Sequence, residues 1–97
     1  MTIKESLTEM RGRIDDLQKR LGDKIAEFRD DERVPAEHRA RVDAMHEQAK
    51  AVKEELPSEE GSVWDAVKHE VKRDVDALVK DFEHTVTYID EHYRETR

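Results

Sequence analysis

A row of apolar residues, Ile3, Leu7, Met10, Ile14, Leu17, Leu21 and Phe28, constrains this chain more than anything else in it. From Ile3 to Leu21 the steps run 4, 3, 4, 3, 4, and Phe28 falls one heptad beyond Leu21. A beat of about 3.5 residues belongs to a helix that lays a narrow seam against another helix. The spacing predicts a first helix over residues 2–29. Ile25 sits one place off the strict seam, where Lys24 would otherwise fall, so the stripe widens near its end. Glu9–Arg13, Asp15–Lys19 and Asp16–Arg20 are acid-before-base pairs four apart, each worth about 0.3 kcal/mol on a wet face. Gly12 and Gly22 lie inside the helix, where glycine costs about 1 kcal/mol against alanine. They read as surface glycines, with close helix contact as the alternative.

Two breaks divide the rest. In Asp30-Asp31-Glu32-Arg33-Val34-Pro35 the acids oppose the dipole at a helix C-terminus, so they mark an end rather than a continuation. Pro35 fits the first turn of a second helix, with Val34 pushed out of the helical region before it. That helix is expected over residues 35–56, with the lean stripe His38, Val42, Met45, Ala49, Val52, Leu56, and Pro57 stops it. The third helix has two rival starts. Ser58 followed by Glu59 and Glu60 reads as an N-cap with first-turn acids, and Ser62 with Asp65 resembles a capping box. The helix is expected from 59 or 63 to 94. Its stripe, Trp64, Val67, Val71, Val75, Leu78, Phe82, Val86, Ile89, Tyr93, follows an eleven-residue repeat that suits a nearly straight helix. Val79 broadens it in the middle.

The fold class that follows is all-α: one domain over residues 1–97, made of three amphipathic helices with short connections in an antiparallel, coiled-coil-like bundle. At 1.5 Å per residue the helices would measure about 42, 32 and 50 Å. The third would overhang the second by upwards of about 10 Å. An overhanging apolar stripe in water calls for a partner. A homo-oligomer is therefore expected, most simply a twofold dimer, self-associating through Val71, Val75, Leu78, Val79, Phe82, Val86 and Ile89.

Composition supports rods over a thick globular core. Charged residues are 44% of the chain and hydrophobic ones 35%. The formal charge is −7, and residues 58–97 hold 11 acids against 6 bases. No basic patch of the kind nucleic acid requires is present, so no nucleic-acid partner is expected. The polar faces carry both signs on an acidic chain, which argues against membrane-surface binding, and no run approaches the ~20 apolar residues of a membrane span. With no cysteine, disulfides, thiolate metal sites and cysteine nucleophiles are excluded. MTIKESLTEMRGR lacks the apolar centre of a signal peptide, so a cytoplasmic location is expected.

Motifs that carry chemistry are scarce in this chain. No glutamate has a histidine three residues on, and no His-x-x-x-His occurs. Asp43–His46, Asp65–His69 and Asp81–His84 are two-ligand corners that a second chain would have to complete. The three glycines are isolated and form no phosphate loop. A lean bundle offers scant room for the desolvated pocket that acid–base catalysis needs, so neither enzyme activity nor a cofactor is expected. The sharpest polar constellation is a strip of Asp81, His84, Tyr88 and His92, stepping 3, 4, 4 along one face, with Glu91 beside it. It reads as a partner-binding or pH-sensitive strip, or simply as wet surface beside the seam. His38 lies on a seam, where protonation would place charge at a helix interface and weaken an assembly in acid. Together these features point to a non-enzymatic structural or protein-interaction module, the alternative being a metal- or ligand-binding helical assembly with His and carboxylate sites completed between subunits.

Overall fold

The computed structural model describes residues 6–59 and 61–94. Among these residues there are three α-helices: α1 (Leu7–Arg29), α2 (Ala36–Glu55) and α3 (Ser62–Ile89). A π-helical turn, Asp90–Arg94, follows α3 directly. Ile3, and the helix start expected at residue 2, lie outside the described residues. The ion pairs and packed pairs between helices define the topology. Asp15 of α1 pairs with Lys53 of α2, and Arg29 of α1 accepts through its carbonyl from Arg39 of α2, so these two run antiparallel. Arg41 pairs with Asp81 and His38 meets Tyr93, so α3 is antiparallel to α2. Arg13 reaches Asp76 and Glu27 reaches Arg94, so α1 and α3 point the same way. The bundle is elongated, 51 × 26 × 17 Å along its principal axes.

Each boundary has a local cause. Ser6 caps α1, accepting the Glu9 amide proton at 3.0 Å. Asp31 organises the first loop: it takes the Arg33 amide at 3.0 Å and the guanidinium of the same residue at 3.0 and 2.9 Å. Pro35 is the N-cap of α2 rather than its first helical residue; its carbonyl accepts from His38 and Arg39 at 3.1 and 3.2 Å. Leu56, forced extended by the proline that follows it, ends α2 with ψ 138°. Neither rival cap starts α3. The N-cap is Gly61, without a side-chain bond, and Ser62 is already helical.

The α1 seam behaves as its period requires: Leu7, Met10, Ile14, Leu17, Leu21 and Phe28 are all 2% exposed or less. Each such side chain contributes roughly 1.5–3 kcal/mol, against about 0–1 kcal/mol for a surface ion pair, so apolar burial and not charge holds the rods together. One core cluster joins Leu7, Met10, Ile14, Leu56, Trp64, Val71 and Val75. The other joins Leu17, Leu21, Phe28, Val34, Val42, Met45, Ala49, Leu78, Phe82 and Ile89. Trp64 is a core anchor at 3% exposure.

The stripe expected to carry self-association therefore lies inside the single chain. Val71, Val75, Leu78, Phe82 and Ile89 are buried against α1 and α2, and Val79 and Val86 are half-buried at the edge of the same core. The expected overhang is covered because α1 runs alongside α3 and because both loops fold inward, through Val34 and Leu56. No free apolar seam remains along these residues. Large apolar exposure is confined among the described residues to Val63 at 62% and Tyr88 at 39%.

Candidate functional site

Two adjoining hollows lie where α2 meets α3. The first is a groove of about 500 Å³ with Ala51, Val52, Ala77 and Leu78 in its walls and Gln48, Asp74 and Asp81 at its edge. One helical turn further along, Glu55 follows Ala51 and Glu70 precedes Asp74, both exposed. The groove thus combines four apolar lining residues with two carboxylates, and further exposed acids follow along both helices; its alanines leave room for another backbone.

The second hollow, about 280 Å³, is lined by His38, Arg41, His84, Thr85 and Tyr88. It takes in two of the four residues of the strip read from the sequence, His84 and Tyr88, with Asp81 in the adjoining groove. Asp81 accepts from Arg41 Nη2 at 3.3 Å across the helix pair. Both side chains are about half exposed, at 43% and 56%, so this bond is weakly held. His84 and Tyr88 enter the wall itself. His92 lies outside it, stacked on Tyr88 with ring centroids 4.0 Å apart. Its Nδ1 donates to the Tyr88 carbonyl at 3.0 Å, because a carbonyl can only accept.

The π-helical turn completes this end of the molecule. It moves Tyr93 beside His38, where the hydroxyl and Nε2 are hydrogen-bonded at 3.2 Å and the rings are tilted at 5.1 Å. Burial pushes the Tyr93 phenol up, with Tyr88 and the Glu37 carboxylate acting in the same direction. Arg94 then closes over the turn. It donates to Asp31 at 2.9 Å, Glu27 at 3.0 Å and Asp90 at 3.2 Å, and its guanidinium lies 5.2 Å from the Phe28 ring. Arg33 donates to the Arg94 carbonyl at 2.8 Å. The Arg33 guanidinium and amide, aided by Arg94, hold the Asp31 carboxyl well below the usual carboxylate range.

Of the residues lining the hollow, His84 and Tyr88 on α3 and His38 on α2 carry a sequence signal; Arg41 on α2 and Thr85 on α3 carry none that can be read without the register between helices. Thr85 is 4% exposed, whereas Val86, the residue assigned to the stripe, is only half-buried. The Thr85 hydroxyl is buried with no hydrogen-bond partner. The two-ligand corners do not converge: among the described residues no group of three or more His, Asp or Glu could hold a metal ion. Asp65 pairs with Lys68 at 3.3 Å instead. Among those residues, no helix is long and apolar enough to cross a membrane.

Comparison with known proteins gives no family, no curated relative and no solved structure that matches this chain.

Proposed function

We propose that this chain is a non-enzymatic helical interaction module, acting in the cytoplasm, whose docking surface is the α2–α3 groove and whose partner is a cationic amphipathic helix. The observation that carries this reading is the pairing of an apolar floor, Ala51, Val52, Ala77 and Leu78, with the edge carboxylates Asp74 and Asp81. Small floor residues let a partner helix approach closely, and the exposed acids Glu55, Glu70 and Asp74 select lysine and arginine on its flanks. A second copy of the chain fits less well. Two such rims would face each other with like charges, and five of the seven residues first expected to carry a dimer, Val71, Val75, Leu78, Phe82 and Ile89, are buried within the protomer.

Titration of the ¹⁵N-labelled protein with a lysine-flanked amphipathic helical peptide tests this. Saturable amide shifts at Gln48, Ala51, Asp74 and Ala77 are expected. Glu70→Lys with Asp74→Lys should weaken binding on the order of tenfold without changing the melt, and salt should weaken it further. Absence of saturable binding, or shifts centred on another face, overturns the proposal.

A further inference from the structure

The hollow beside the groove has a different chemistry, and what it suggests does not depend on the docking reading. In an acidic chain of net charge −7, four other hollows of the bundle each include a carboxylate in their walls: Asp23 in one, Asp74 in the groove, Asp43 and Asp76 in two more. The walls of this one are His38, Arg41, His84, Thr85 and Tyr88, with no acid among them. Every one of these side chains can donate a hydrogen bond. Arg41 gives only Nη2 to Asp81, at 3.3 Å, which leaves the rest of its fork available. The Thr85 hydroxyl is buried and unpartnered, a state that a hydrogen-bonding ligand relieves.

We infer that this hollow is a binding site for a small oxyanion, of the phosphate or sulfate type, held by the Arg41 guanidinium, the His38 and His84 imidazoles and the Thr85 hydroxyl. A volume of about 280 Å³ admits such an anion, and the Tyr88 ring provides one flat wall for whatever the anion is attached to. The charged and titratable groups around the histidines are Glu37 and Arg41 on α2, Asp81 and Tyr88 on α3, and His92 and Tyr93 on the π-helical turn. Glu37, 3.9 Å from His38, and Asp81 oppose an anion, and Arg41 favours it. Imidazole gains charge as pH falls from 8 to 6, so the balance shifts toward binding in acid.

Sulfate is the probe, since it keeps its double charge over that range. Imidazole ring signals are followed by NMR during titration at pH 6 and pH 8. Saturable shifts at His38 and His84 but not at His46 or His69 are expected, with several-fold tighter binding at pH 6. Arg41→Gln should abolish saturation, and His84→Gln should reduce the difference between the two pH values. Thr85→Val removes the unpartnered hydroxyl at nearly constant shape, so it should melt at or above the parent while binding sulfate more weakly. Inorganic phosphate and phenyl phosphate, titrated in parallel, assign the source: equal affinity marks a free anion, and tighter phenyl phosphate marks a monoester against Tyr88. Linear shifts shared by all the histidines, parental affinity in Arg41→Gln, or failure of both phosphates overturns the inference.

Discussion

Gly12 and Gly22 sit in the middle of α1 with nothing within 4 Å of where a Cβ would lie. No neighbouring helix presses on either, so close contact does not explain them. Each leaves the helix with backbone freedom that folding must remove. Gly12→Ala and Gly22→Ala should each stabilise the protein by about 0.5–1 kcal/mol, read from urea midpoints at constant m-value. Position 85 shows what residue-by-residue reading lacks. Phe82, Thr85 and Ile89 are buried at steps of 3 and 4, and Phe82, Val86, Ile89 offer 4 and 3. Both satisfy a helical face, and hydropathy alone chooses Val86. Only the direction from which α2 approaches makes threonine the inner residue.

At the scale of elements, the α1 seam was legible because it keeps one period without interruption and because burial is what that period selects. The end of α3 was not. Ile89 and Tyr93 are four apart, the spacing of an unbroken α-helix, whereas the chain turns π-helical at Asp90. The wider turn is tied down from elsewhere, by Asp31 and Glu27 holding Arg94, and such long-range ties leave no periodic trace. The start of α3 escaped for a related reason: the serines were plausible caps, and backbone capping at Gly61 needs none. The tie has a pH signature. Since the folded protein holds the Asp31 carboxyl low, its contribution is present above the ordinary carboxylate pKa of about 3.9 and is lost as pH falls through the depressed folded value. Asp31→Asn should therefore lower the melting temperature at pH 7, and the gap should narrow as pH drops below about 4. Circular dichroism melts of parent and variant at pH 7 and pH 2 check this.

For the whole molecule, the bundle class and the order of helices were readable, but the state of the apolar surface was not. The expected overhang compared α3 with α2 alone. In three dimensions α1 lies parallel to α3 and covers it, and the loops contribute Val34 and Leu56. The site was half legible for the same cause, since periodicity assigns faces within a helix but not the partner across from them. Phe28, fully buried in one cluster, and Trp64, in the other, allow the unity of the core to be measured. Phe28→Ala should cost about 3–5 kcal/mol. Its effect should appear equally in Trp64 fluorescence and in far-ultraviolet circular dichroism; midpoints that separate would show two halves unfolding independently.

Two of the three rods share a direction, and this leaves the assembly lopsided along its length. The backbone dipoles of α1 and α2 largely cancel, and that of α3 stands alone, equivalent to about half a unit charge at either tip. The tip near Ser6 and Gly61 carries two helix N-termini, and the opposite tip carries two C-termini. A charged body approaching end-on meets a head and a tail, so the protein behaves as a weak electric compass needle even before any side chain is counted.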